Sequence, residues 1–185
     1  MSTQIEATTE DLIKDLYREE GKAEIVNGEI VRFMATGSEP GNAGDGIAFS
    51  LRLYVRETKR GIAVGDNKGF LCDLPHRKSF SPDAAYYAGE RTGMKFYPKA
   101  PIFAVEVRSE GDYGKRAEEA MARKRDDYFA AGTLIVWDVD VLSDTPVKAY
   151  TASEPDKPKV FMRGEIANAE PAVPGWTFAV DDLFA

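Results

Sequence analysis

Three charged side chains occupy positions where charge is unusual, and they are the first candidates for chemistry. Asp83 follows Pro82 early in a predicted strand, Glu106 lies at the polar end of an apolar strand, and Lys124 lies within a long predicted helix. An ionised carboxylate among apolar neighbours needs a partner, because burying an unpaired charge is costly. That partner for Glu106 could be a lysine, an arginine or a metal ion. The alternative without chemistry is a Glu106–Lys124 ion pair that caps the core.

The helical register places Lys124 on the inward side of its helix. Six residues between Gly114 and Ala131 have the spacing of one helical face and form its apolar stripe: Ala117, Ala120, Met121, Lys124, Tyr128 and Ala131. A lysine on such a stripe either extends to an edge or meets a carboxylate. Because the strand before this helix ends in Glu106, we expect Lys124 and Glu106 to meet.

The first half of the chain alternates between predicted helices and strands. Thr8, with acidic residues in the turn after it, is typical of a helix N-cap, and Gly21 ends that helix. Asn27-Gly28 between two β-prone runs predicts a hairpin. A loop rich in Gly, Pro, Ser and Asn follows from Thr36 to Gly46, and a helix from Gly46 to Thr58. The strands predicted in this half cover residues 23–26, 29–33, 62–64, 69–74 and 80–87.

The second half predicts a strand–helix–strand unit. Residues 101–108 form a buried strand that ends in charge, and residues 114–131 form a helix ended by Gly132. The continuous apolar run of residues 134–137 predicts a strand covered on both faces. A right-handed parallel crossover should join the two strands. A final hairpin is predicted over residues 147–150 and 159–162, and Trp176 and Phe178 should pin the C-terminal tail to the body. The order of elements predicts an α/β fold with a mixed sheet.

Composition narrows the kinds of site that the chain can hold. It has 24 Lys and Arg, 31 Asp and Glu, and a net charge of −7. This charge counts against a strongly nucleic-acid-binding surface, but it fits carboxylates that need a divalent cation before an anionic substrate approaches. The single cysteine, Cys72, and the single histidine, His76, exclude an intrachain disulfide and a Cys/His zinc cage, and they argue against a Ser-His-Asp or Cys-His triad. Catalysis must then rest on carboxylates, Lys, Arg or Tyr.

The same sequence carries no sign of a membrane or a secretory route. No apolar run approaches the roughly 20 residues that span a bilayer. Met1 to Glu10 is polar and acidic, without the basic and apolar regions of a signal peptide. We therefore expect a cytoplasmic protein in which residues 1–185 form one domain.

Several short motifs, taken in order, resemble one known group of proteins. Pro82-Asp83 followed by Glu106-Val107-Arg108 resembles the Pro-Asp…(Asp/Glu)-x-Lys pattern of the PD-(D/E)XK nuclease superfamily. More closely, the chain resembles the small bacterial family called "putative restriction endonuclease", over roughly residues 11–150. The motifs that carry this resemblance are Ala23 to Val31, Ser81-Pro82-Asp83, Val105 to Ser109, Lys124 with Tyr128, Gly132, and Val136-Trp137-Asp138. The resemblance implies a restriction endonuclease-like fold, with a central mixed β-sheet flanked by helices.

The resemblance also implies a role for each candidate residue. Asp83 and Glu106 would bind Mg²⁺ or Mn²⁺, which would polarise the scissile phosphate and activate a water molecule. Lys124 would orient that water and stabilise the pentacovalent state. Glu24 would be an outer metal ligand or, alternatively, an exposed strand carboxylate. The superfamily's lysine often follows the Glu by two residues, where this chain has Arg108, which stays protonated and cannot act as a general base. Lys124 matches the place that the lysine takes in this family, on the following helix.

Two functions remain open at this point. The first is a Mg²⁺-dependent DNA endonuclease acting as a homodimer, with Lys59-Arg60 and Arg77-Lys78 as possible phosphate contacts. The second is a catalytically inactive relative that uses the fold for binding or assembly. The enzyme is favoured if the Asp83 and Glu106 carboxylates lie on adjacent strands within reach of one ion. The binding module is favoured if Asp83 points away.

Overall fold

A computed structural model describes residues 8–185. The segment Met1 to Glu10, on which the expectation of no signal peptide depends, lies mostly outside these residues. Helices are α1 (Thr9–Leu16), α2 (Ser38–Thr58), α3 (Lys115–Ala130) and a terminal 3-10 helix (Val180–Phe184). Strands are β1 (Ala23–Val26), β2 (Glu29–Arg32), β3 (Ile62–Gly65), β4 (Phe70–Leu71), β5 (Ser79–Phe80), β6 (Ala84–Tyr87), β7 (Phe103–Val107), β8 (Ile135–Val139), β9 (Val147–Thr151), β10 (Glu154–Phe161), β11 (Ile166–Asn168) and β12 (Thr177–Ala179).

Six strands form the central sheet, in the order β10-β9-β8-β7-β6-β3. Only β7 and β8 run parallel in this sheet, and α3 connects them, whereas the other neighbours are antiparallel. The predicted mixed sheet, its parallel crossover and the final hairpin β9–β10 are confirmed. Three two-stranded ribbons, β1–β2, β4–β5 and β11–β12, complete the described strands.

Local sequence signals explain the ends of the first elements. The Thr8 hydroxyl accepts a hydrogen bond from the Asp11 backbone N–H at 3.2 Å, which confirms the predicted N-cap of α1. That helix ends at Leu16, earlier than Gly21. Asn27 and Gly28 both have positive φ angles, 53° and 75°, as a tight turn between β1 and β2 requires.

The predicted loop from Thr36 to Gly46 is wrong, because α2 already begins at Ser38. Pro40 lies in the first turn of α2, where its missing N–H leaves no helical hydrogen bond unmade. Ala43 and Gly44 are buried against the sheet. A Cβ atom on Gly44 would lie 3.5 Å from the Asp83 Cβ, so α2 passes close to the strand end that carries Asp83. Tertiary packing therefore outweighs the poor helix propensity of these glycines.

The predicted strand over residues 80–87 is also corrected, because it breaks into β5 and β6 on either side of Pro82. Proline has no N–H to donate to a strand ladder. The break leaves Asp83 just before β6. The strand predicted over residues 69–74 shortens to β4, Phe70–Leu71.

The sheet has two covered faces, and β7 contributes to both. Phe103 and Val105 pack with residues of α2, whereas Ala104 packs with Tyr128 of α3. By strand alternation, Glu106 shares the α3 face with Ala104. The apolar strand thus brings its one carboxylate to the helix that carries Lys124.

The C-terminal tail closes the α2 side of the sheet. The rings of Trp176 and Phe178 lie 5.2 Å and 6.3 Å from the ring of Trp137, which confirms the predicted docking. Between residues 8 and 185, no helix combines the length and the apolar character needed to cross a membrane.

Candidate active site

Asp83 and Glu106 come together because β6 and β7 are antiparallel neighbours. Ala84 pairs with Val105, so the same register sets Asp83 across from Glu106. The Asp83 N–H donates to the Val105 carbonyl at 3.0 Å, and Asp83 Oδ2 accepts from the Val107 N–H at 2.6 Å. By this register Asp83, one residue before β6, and Glu106, on β7, stand opposite each other at the same end of the two neighbouring strands.

Lys124 meets Glu106, as the helical register predicts. Its Nζ lies 2.8 Å from Glu106 Oε1 and 2.9 Å from Glu24 Oε1. The Tyr128 hydroxyl, one helical turn further along α3, donates to the same Glu106 oxygen at 2.6 Å. The apolar stripe of α3 thus places an ammonium group and a phenol on the strand carboxylate. The same contact is the Glu106–Lys124 ion pair of the alternative without chemistry.

Glu24 is 1% exposed, which excludes the alternative of an exposed strand carboxylate. Its Oε1 also accepts from the Ser81 N–H at 2.9 Å, and its Oε2 accepts from Arg77 Nη1 at 2.5 Å. Every described partner of Glu24 is therefore a donor. The Lys124 ammonium therefore contacts Glu24 as well as Glu106. The role of Glu24 as an outer metal ligand stays a prediction.

Lys22 is a site residue that the sequence analysis missed. Its ammonium pairs with Asp83 Oδ1, and it lies 2.9 Å from Asp66 Oδ1. Lys22 precedes β1, and no strand or helix pattern distinguishes it from an ordinary surface lysine. The partner Asp83 lies 61 residues away in the sequence. The one local signal is its position two residues before Glu24, since alternation sets both on one face of the strand.

Arg77 and Asp127 extend the ion network away from the site, and the sequence analysis assigned neither of them to it. Arg77 Nε lies 2.7 Å from Asp127 Oδ2, and His76 Nε2 lies 2.7 Å from Asp127 Oδ1. Arg77 is buried between Asp127 and Glu24. The hypothesis that Arg77-Lys78 contacts phosphates is therefore wrong for Arg77, because its guanidinium is already paired with two carboxylates. Lys78 pairs with Asp73.

Burial and charge shift the ionisation of these groups in different directions. Burial raises the pKa of Glu106 above its ordinary value, although Lys124 opposes the shift. Burial would also raise the pKa of Glu24, but Lys124 and Arg77 outweigh it and hold that pKa below its usual value. Burial would lower the pKa of Lys124, but Glu106 and Glu24 outweigh it and raise that pKa. Burial, followed by the Glu106 charge, raises the pKa of Tyr128 well above its usual range. Lys124 is thus an ammonium and Tyr128 a neutral phenol at neutral pH.

Arg108, two residues after Glu106, has Asp138 and Glu118 as its side-chain ion-pair partners among the described residues. Its guanidinium forms a two-pronged pair with Asp138, at 2.8 Å and 2.7 Å, and it also pairs with Glu118. Asp138 lies on β8 and Glu118 on α3. Arg108 therefore ties the end of β7 to its parallel neighbour and to the helix, a task that suits the planar fork of arginine.

The donor set is compatible with a divalent cation held by two carboxylates. Residues 8–185 contain no cluster of three His, Cys, Asp or Glu side chains that could cage a metal ion. Mg²⁺ does not need one, because it keeps several waters and binds through one or two carboxylates plus substrate phosphate. Within the described residues, Glu106 Oε2 accepts no hydrogen bond, while Asp83 Oδ1 is held by the Lys22 ammonium. The ligand chemistry of Asp83 and Glu106, two hard oxygen donors at paired strand positions, fits such a cation, provided that the Lys22 ammonium leaves Asp83.

Comparisons with known proteins agree on one fold. A family model described as "Putative restriction endonuclease" (Uma2) matches residues 9–181. A crystal structure titled as a putative nuclease belonging to DUF820 from Anabaena variabilis ATCC 29413 superposes with a TM-score of 0.70. It is 14% identical, and the match covers 94% of this chain and 97% of that chain. At this identity the likeness shows the fold alone, and it confirms the restriction endonuclease-like fold that the motifs predict. No curated protein matches the chain.

Proposed function

The chain belongs to the "Putative restriction endonuclease" family, and on that premise we propose that it is a Mg²⁺- or Mn²⁺-dependent endonuclease that hydrolyses phosphodiester bonds in DNA. Membership of the family and the nuclease fold support a nuclease. The cation, the DNA substrate and a homodimeric assembly are the finer parts of the proposal. A homodimer would let two copies of the site cut two strands.

One observation carries the proposal. The Lys124 ammonium lies 2.8 Å from Glu106, while the antiparallel register sets Asp83 across from Glu106 on the neighbouring strand. The Asp83 and Glu106 carboxylates and the Lys124 ammonium are therefore brought to one end of the sheet, where Lys22 and Glu24 also pair with them. The second carboxylate, Asp83, stands at the paired position of the neighbouring strand, where a divalent cation with two carboxylate ligands would need it.

Each residue would then have a distinct task in hydrolysis. Asp83 and Glu106 would hold the cation, which when bound supplies a Lewis acid for the scissile phosphate and a more acidic water. Lys124 would orient the water whose oxygen attacks phosphorus, and would stabilise the added negative charge as the bond to the leaving oxygen breaks. Glu24 and Tyr128 would keep Lys124 and Glu106 in position.

The first test is whether wild-type protein cleaves DNA in a cation-dependent way. We expect nicking or cleavage of plasmid or single-stranded DNA in Mn²⁺ or Mg²⁺, and none after EDTA removes the cation, because the two carboxylates alone repel a phosphate. Gel electrophoresis of the products measures this. Restoring an excess of Mn²⁺ should restore cleavage. Cleavage that persists in EDTA would contradict a cation-dependent site.

Lys22 provides a second prediction, on binding. Because its ammonium pairs with Asp83, it must leave Asp83 when a cation binds there. Replacing it (Lys22→Met) should therefore tighten Mn²⁺ binding roughly 10-fold, by removing a competing positive charge. Isothermal titration calorimetry measures the affinity without any cleavage step. Lys14→Met is the matched control, since Lys14 also pairs with an aspartate, Asp11, but on the exposed face of α1. Equal or weaker Mn²⁺ binding in Lys22→Met would show that Lys22 does not compete.

A non-catalytic binding module is the second candidate function, and one observation favours it. Both oxygens of Glu24 and both oxygens of Asp83 already have donors within the chain. Such a network could serve stability alone. Wild-type protein that binds no Mn²⁺ and cleaves no DNA would support this second function.

A further inference from the structure

Phe33 is an exposed aromatic residue at the edge of the candidate site. It directly follows β2, and its N–H donates to the Lys22 carbonyl at 2.9 Å. The centroid of its ring lies 5.5 Å from the Lys124 Nζ. Lys22 and Phe33 are thus neighbours at the open end of the β1–β2 hairpin, and both lie next to the site.

Phe33 is not packed into the hydrophobic core, because it lies on the outer face of the β1–β2 hairpin. Ile30, on the other face of the hairpin, packs against the cluster of Leu16, Ala23 and Ile25. Val31 and Phe33 share the opposite face by strand alternation, and both remain exposed, at 39% and 41%. Val31 also pairs with Glu24 in the hairpin register. This face is therefore an open apolar strip that runs beside the charged site.

We propose that Phe33 stacks on a nucleobase next to the scissile phosphate, so that the preferred substrate is single-stranded or locally unpaired DNA. This inference rests on the proposed nuclease function, because it takes Lys124 as the group that faces the scissile phosphate. Every base has a π face, so an aromatic ring beside a phosphate site binds single strands with little regard to sequence. In a duplex the base faces are already stacked on each other and must be freed first.

The charge of the chain agrees with this substrate. A net charge of −7 disfavours the many phosphate contacts through which basic proteins bind duplex DNA. Stacking supplies affinity that does not depend on positive charge. A short apolar strip with Lys22 and Lys124 beside it fits one or two unstacked nucleotides better than a long duplex track.

Binding in Ca²⁺, chosen to retain the complex without the Mn²⁺- or Mg²⁺-dependent cleavage step, tests the proposal. The probes are a fluorescein-labelled single-stranded oligonucleotide, its duplex, and a single strand carrying 2-aminopurine. We expect wild type to prefer the single strand and to change the 2-aminopurine emission. Phe33→Ala should weaken single-strand binding about 5- to 100-fold with little effect on the duplex. Phe33→Trp should retain the binding, because indole also stacks.

Phe49→Ala is the matched control, since Phe49 is also an exposed phenylalanine but lies on α2, the helix that covers the other face of the sheet from α3. Its affinity should equal that of wild type. Equal losses for single strand and duplex in Phe33→Ala, or no loss, would overturn the stacking role. If wild type cleaves DNA in Mn²⁺ while Phe33→Ala binds normally, only this inference fails. If wild type binds and cleaves no DNA, the proposed nuclease function fails and the stacking role falls with it.

Discussion

Replacing Lys124 by methionine should lower the rate of DNA cleavage about 100- to 1000-fold, the cost of removing one preorganised donor from a developing negative charge. Methionine keeps much of the length and apolar character of the side chain but loses the ammonium that lies 2.8 Å from Glu106. Single-turnover cleavage in saturating Mn²⁺ measures the chemical step. Binding of uncleaved DNA in Ca²⁺ should change much less, because the ammonium acts mainly on the transition state.

A loss of folding could imitate this result, so the variant needs a control of its own. Glu24 keeps Arg77 and the Ser81 N–H as partners after the change, and Glu106 keeps Tyr128. We therefore expect Lys124→Met to remain folded, as circular dichroism and a thermal melt can check. Arg163→Met removes a positive charge from an exposed ion pair with Asp181 and should cleave at the wild-type rate. A folded Lys124→Met protein that cleaves as fast as wild type would rule out the role of Lys124 in the reaction.

Replacing Arg77 by methionine should lower the free energy of unfolding by about 3–5 kcal/mol, the usual cost of leaving a buried charge without its partner. Arg77 is the described residue that joins Glu24 to Asp127, at 2.5 Å and 2.7 Å, and all three are buried. Its loss leaves Asp127 with His76 and leaves Glu24 with Lys124 and one backbone N–H. Urea unfolding followed by circular dichroism measures the change.

Two further variants show whether the buried ion network is the cause of the stability loss in Arg77→Met. Arg163→Met breaks an ion pair that water reaches freely, and it should change stability little. Adding Glu24→Met to Arg77→Met should recover part of the lost stability, because one stranded carboxylate is removed with its partner. An Arg77→Met protein as stable as Arg163→Met would mean that water or a rearranged side chain replaces the arginine at little cost.

Local periodicity was sufficient to predict the part of the site that lies within one strand–helix unit. The stripe of α3 and the strand before it placed Lys124 against Glu106, and the contact at 2.8 Å confirms that they meet. Their catalytic roles stay predictions. This contact can be predicted because Glu106 and Lys124 belong to consecutive elements. The two-residue period of the strand sets the face of Glu106, and the 3.6-residue period of the helix sets the face of Lys124.

Local composition predicted the wrong secondary structure where tertiary packing stabilises a helix. Residues 38–45 contain Gly, Pro and Asn, which are typical of loops, yet they form the first turns of α2. Burial of Ala43 and Gly44 against the sheet favours the helix over its weak intrinsic propensity. The same small residues allow α2 to approach the strand end that carries Asp83.

The sequence by itself determined the mixed sheet, the parallel crossover and the meeting of Lys124 with Glu106, because short-range periods encode strand faces and helix stripes. Only the tertiary structure decided that Lys22 holds Asp83 and that Arg77 joins Glu24 to Asp127. These partners lie 61, 53 and 50 residues apart. Strand and helix periods extend over a few residues, so they do not predict pairs that lie this far apart in the sequence. Whether a charged residue is exposed or buried depends on which strands become neighbours, and that is settled by the packing of the whole chain.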